Sequence, residues 1–125
     1  RHATLARAVW VAFDAWSAEG PVELNVTDPA HRSNAVTSIR IGAPHGTALR
    51  DWMDEVAGVT LGIGLGMAPP GDPAWHGFFR VGHMGHVNAN MILGTLTSIE
   101  AGLTALGVPH GKGGSAAAAQ VVAGV

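Results

Sequence analysis

Nothing in the chain restricts its fold as much as the apolar ladder near its C-terminal end. Ile92, Leu96, Ile99, Leu103 and Leu106 recur at intervals of four, three, four and three, which holds all five on one stripe of an α-helix. Asn88 can cap its start, Gly107 takes the C′ position and Pro109 stands just beyond. Leu96, Ile99 and Leu103 are therefore expected in a core.

Other stretches read by the same logic. Leu5, Val9, Phe13 and Trp16 share one face of a helix over residues 3–18 that ends near Gly20-Pro21. "VELNV" (22–26) alternates and "AVTSIRI" (35–41) is rich in β-branched residues, so both read as strands joined by the turn-forming "TDPAHRSN". Thr47 can cap a helix running to about Ala57, with Leu49, Trp52, Met53 and Val56 on its buried side, Asp51 near its N-terminal end and Gly58 as its stop. "VTLGIGLGM" is a short strand dissolving into glycines, "APPGDPAWHG" a loop, and "FFRVG" the next strand. Residues 110–125 form a small-residue tail, flexible or partly helical from Ser115. Helix, strand, strand, helix, strand, strand, helix without a repeat reads as one α+β domain over 1–125, a small mostly antiparallel sheet with helices packed on one face.

Composition narrows the function. A net charge of −2 gives no case for nucleic acid or an anionic membrane. The absence of cysteine removes a disulfide framework, a thiolate zinc site and a cysteine nucleophile. No apolar run approaches the roughly 20 residues of a membrane span, and the N-terminus lacks an apolar leader, so a cytoplasmic protein is the default expectation. Charged residues make up only 13% against 47% hydrophobic. That balance suits a surface partly covered by something else. The chain also opens at Arg1, directly in a helix, and reads as a piece of a longer polypeptide.

Three constellations could carry chemistry. Gly62, Gly64 and Gly66 alternate as G-x-G-x-G, which misses the spacing of a dinucleotide-binding turn. They mark either a strand end or bulge, or a backbone that must approach a ligand or second domain closely. His83 and His86, with His76, lack the carboxylate or thiolate partners of a zinc site, since no acid lies between Asp72 and Glu100, and no metal is expected. Arg80 is the sharp case. In a strand with Phe78 and Arg80 on one face and Phe79 and Val81 on the other, a semi-buried guanidinium needs an anion. An internal Asp or Glu, or a ligand carboxylate held by a bidentate fork, would serve.

At these residues the sequence resembles a known family. "FFRVGHMGHVNANMILGTLTSIEAGLTALGVPHGKGG" is similar to the C-terminal end of class V pyridoxal-phosphate aminotransferases of the alanine–glyoxylate and serine–glyoxylate branch. Their motif there is phenylalanine, arginine, a β-branched residue, Gly-His-Met/Leu-Gly. "HRSNAVTSIRI" resembles the family's preceding strand and "TALRDWMDEVAGVTLGIGLG" the helix and glycine-bearing strand between, so the likeness spans residues 1–114.

The resemblance implies that this is the small, C-terminal domain of a fold-type-I enzyme transferring an amino group from a serine- or alanine-like amino acid to a 2-oxo acid such as glyoxylate or pyruvate. It implies that Arg80 binds the substrate carboxylate, and that Gly62, Gly64, His83 and Met84 lie near the substrate. It also implies a homodimer and a large domain of the same polypeptide holding pyridoxal 5′-phosphate. Such a cofactor needs a Schiff-base lysine. The only lysine, Lys112, falls in the tail "PHGKGG" and matches the family's tail. No catalytic residue is therefore expected in this chain, and the chain alone is expected to be inactive. A competing reading is a stand-alone α/β module that binds a small carboxylate or acts in an interaction without chemistry.

Overall fold

A computed structural model describes residues 1–64, 67–69, 71–85 and 87–124. In order these form α1 (His2–Ser17), β1 (Glu23–Leu24), a 3-10 turn (Pro29–His31), β2 (Val36–Arg40), α2 (His45–Trp52) continuing into a π-helical turn (Met53–Ala57), β3 (Gly62–Ile63), a second 3-10 turn (Pro73–Gly77), β4 (Phe78–Gly82), α3 (Ala89–Ala105) and α4 (Gly114–Ala123). The four strands make one antiparallel sheet in the order β1-β2-β4-β3. The fold is α+β, as the element order implies.

Strand periodicity divides the sheet into two unlike faces. Leu24, Ile39, Phe79 and Val81 are buried on one, where the Phe13 ring of α1 lies 6.0 Å from Phe79. Leu5, Val9, Phe13 and Trp16 are all buried, so α1 spends its whole apolar stripe on this core. Packed beyond it, α3 contributes Ile92, Leu96, Ile99 and Leu103, each at most 2% exposed. Val36, Ser38 and Arg40 of β2 and Phe78 and Arg80 of β4 stand on the opposite face, where all but Arg40 are partly buried.

The ends of α3 follow from its sequence. Asn88 accepts the Met91 N–H at 2.9 Å, and Gly107 and Val108 donate back to Thr104 and Leu103 in a Schellman closure. That turn places Val108 in the core and leaves Leu106, expected on the buried stripe, 37% exposed. Two further expectations are corrected in α2. The helix starts at His45, ahead of Thr47, and has no side-chain cap. Val56 is 64% exposed, because a π turn takes more residues per revolution than an α turn and Val56 lags off the buried stripe.

Residues 114–123 of the tail are helical. Gly111 donates to the Trp16 carbonyl, and Ala118 and Val121 are buried, which docks α4 along α1. Among the described residues no helix is long and apolar enough to cross a membrane.

Candidate functional site

Arg80 sits at the middle of β4 on the face away from Phe79, opposite Ser38 of β2 and Gly62 of β3. Its two flanking strands thus present a serine and a glycine, which leave room beside the arginine stem. A Cβ on Gly62 would stand 3.2 Å from Arg80 Cβ and 3.3 Å from its Nε. A Cβ on Gly64 would stand 2.4 Å from Phe78 Cβ, closer than real contacts allow. Gly62 of β3 and Gly64 just beyond it therefore have a definite role: they leave room for Arg80 and Phe78 of the neighbouring strand. Gly66 lies outside the described residues.

The guanidinium is anchored at one corner only. Arg80 Nε donates to the Ile63 carbonyl at 2.6 Å, fixing the plane of the group. Among the described residues no carboxylate lies within 4.0 Å of it, and its terminal nitrogens find no acceptor. The internal acid that the sequence left open is not present in this part of the molecule. What remains is the outward edge of a fork whose geometry matches a carboxylate.

Arg80 also lines a cleft of about 280 Å³, together with Trp10, His31, Arg32, Ser33, Thr37 and Ser38 among others. No aspartate or glutamate contributes to the lining. The cleft forms because β1 pairs only with Ile39 and Arg40, leaving the other half of β2 without a strand on that side. Two arginines and three hydroxyl-bearing residues make it an anion-binding environment.

His83 and Met84 occupy different places. Continuing the alternation of β4, His83 points to the core side and is fully buried. Its Nδ1 meets the Asn34 carbonyl at 3.0 Å and its Nε2 meets Thr37 Oγ1 at 2.7 Å, while Trp10 Nε1 donates to the same hydroxyl at 3.0 Å. One proton arrangement satisfies every atom: Nδ1 carries the hydrogen, and Thr37 accepts from Trp10 and donates to Nε2. Burial accordingly pushes the His83 pKa below the usual imidazole value, partly countered by the Asn34 carbonyl. Met84 is 55% exposed and does not line the cleft. His76 is engaged elsewhere, with Nδ1 2.7 Å from Thr47 Oγ1, and His86 lies outside the described residues. The described residues contain no group of three His, Cys, Asp or Glu able to hold a metal.

Trp10, Arg32 and Thr37 are the contributors that sequence reasoning missed. Trp10 belongs to a helix and Arg32 to a turn, and no spacing rule connects them to β4.

Nor do the residues present fit the Schiff-base role of a pyridoxal cofactor. Lys112 is exposed in the short connection between α3 and α4 and does not line the cleft beside Arg80.

An α+β domain with a carboxylate-shaped arginine fork on the face of its sheet away from Phe79 is the class of object defined so far. Comparison with known proteins makes it specific. A serine–glyoxylate aminotransferase of Arabidopsis thaliana is 33% identical over 124 residues, covering 95% of this chain and 27% of that protein. Among solved structures, a pyridoxamine–pyruvate aminotransferase from Mesorhizobium loti superposes with a TM-score of 0.81 at 23% identity, covering 98% of this chain and 30% of its own. A ureidoglycine–glyoxylate aminotransferase from Bacillus subtilis superposes with a TM-score of 0.78 at 22% identity and the same coverage. No family model matches the chain. Over nearly its whole length the chain resembles the C-terminal part of class V aminotransferases. It spans about a quarter to a third of the length of the relatives it matches.

Proposed function

We propose that this chain is the small domain of an aminotransferase that moves an amino group from a serine- or alanine-like amino acid to a small 2-oxo acid such as glyoxylate or pyruvate, and that Arg80 grips the substrate carboxylate. The observation that carries the reading is the half-used guanidinium. Nε is held by Ile63, no acid pairs with the group among the described residues, and Arg80 lines a cleft that holds a second arginine and no acid. The kinship with a serine–glyoxylate aminotransferase supports the reaction class.

In this reading a larger domain of the same polypeptide holds pyridoxal 5′-phosphate and supplies the lysine that Lys112 does not, and the enzyme is a homodimer. The cofactor supplies the electron sink for loss of the α-proton. Arg80, Ser38, Gly62 and Gly64 hold and orient the acid. A volume of about 280 Å³ is below the roughly 300–1,000 Å³ of clefts for drug-sized ligands and suits a small acid.

The test is Arg80→Lys in the full-length enzyme. Lysine keeps the charge but loses the planar fork, so kcat/KM is expected to fall roughly ten- to a hundredfold, the scale of a charged hydrogen bond worth about 1.5–3 kcal/mol. The cofactor absorbance and the thermal midpoint should persist. A variant that instead melts early while its folded fraction keeps normal kinetics would show Arg80 to be a structural residue.

A further inference from the structure

A second arginine lines the same cleft. Arg32 is held unusually firmly for a residue in a turn: Nε donates to the Val26 carbonyl at 2.9 Å, Nη2 donates to the Thr27 carbonyl at 3.2 Å, and the guanidinium carbon lies 5.4 Å from the centre of the Trp10 ring. Trp10 is itself fixed through Thr37 to His83 and the Asn34 carbonyl. A relay running from the buried histidine beside β4 thus determines where Arg32 stands. Two of its five N–H donors are used by its own loop. Among the described residues the others have no acceptor, and no carboxylate lies within 4.0 Å. Asp28, at the head of the same turn, is exposed, caps it through Ala30 and lies 3.8 Å from His31.

We infer that Arg32 is a specificity-determining residue that receives a second carboxylate, so that the cleft favours amino or oxo acids with an acidic side chain over those with an apolar one. The inference rests on the reading of Arg80 as the clamp for the first carboxylate. Two preorganised cations in a cleft without an acid leave excess positive charge that one carboxylate does not neutralise. Holding Arg32 by stacking and main-chain bonds means that little side-chain entropy is lost when the ligand arrives.

Glutarate and pentanoate separate the two readings, because they share a five-carbon chain and differ in a terminal carboxylate or methyl. Their dissociation constants are measured by calorimetry on the full-length protein, with Arg32→Gln and Arg80→Lys alongside. The wild type is expected to bind glutarate about ten- to a hundredfold more tightly than pentanoate, the scale of charged hydrogen bonds, and Arg32→Gln should collapse that preference. Arg80→Lys should weaken both acids. A wild type without the preference, or an Arg32→Gln protein that retains it with a normal melting temperature, overturns the role of Arg32. If Arg80→Lys weakens neither acid, the clamp reading falls whatever Arg32 does, and binding of neither acid by the wild type overturns both. Should Arg32→Gln fail to fold, Arg32→Lys keeps the charge without the fork, and full retention of the preference there is equally fatal.

Discussion

His83 shows how a polar residue can be buried without penalty. Three hydrogen bonds link the Asn34 carbonyl, the imidazole, the Thr37 hydroxyl and the Trp10 indole, and all are satisfied only while the ring is neutral. The folded-state pKa lies below 6.5, so between that value and 6.5 the unfolded chain binds a proton that the folded chain does not. Stability is therefore expected to rise with pH across that window and to decline as pH falls below about 6.5 toward the depressed value. Melting curves at pH 7.5 and 5.5 check it. Wild type should lose more on acidification than His83→Gln, whose amide cannot be charged, and equal losses would mean that the imidazole contributes nothing to the pH dependence.

Among the elements, α3 and β3 are explained by different physics. Helix α3 is stabilised by a continuous apolar stripe, and its central Ile99 is wholly buried. Truncation to alanine is expected to cost about 2–5 kcal/mol, because the cavity left behind adds to the lost transfer free energy. An unchanged thermal midpoint for Ile99→Ala would mean that the buried face of α3 is misassigned. Strand β3 is only two residues long and carries a glycine. What defines it is its neighbour, since Arg80 and Phe78 of β4 occupy the space that side chains at positions 62 and 64 would need.

At the scale of the whole molecule, the last segment ties three helices together. Trp16 of α1 donates to Glu100 Oε1 at 2.9 Å, and Ser115 of α4 donates to Glu100 Oε2 at 3.2 Å, so one half-buried carboxylate of α3 serves both. Gly114 lies against the Trp16 indole, and a Cβ there would stand 2.2 Å from Nε1. Because Trp16 is fully buried and pinned by Glu100, it cannot yield. Gly114→Ala is thus expected to destabilise the domain by about 1–3 kcal/mol through overpacking. A melting curve measures it, and an unperturbed variant would mean that α4 packs less closely on α1.

The sequence by itself determined the elements whose evidence is local: the stripes of α1 and α3, the Asn88 cap, the Gly107 closure and the alternation that puts Phe78 and Arg80 on one face of β4. Periodicity and capping act over a few residues, so they can be read in order along the chain. Local pattern overreached where neighbours intervene, as with Val56 on the π turn and Thr47, whose hydroxyl serves His76 instead of a cap. Only the tertiary structure decided which strand lies beside Arg80, why positions 62 and 64 are glycine, and that Trp10, Arg32 and Thr37 share its cleft. Those contacts join residues as far apart as Trp10 and Arg80, and nothing in the identity of either residue encodes the other's position.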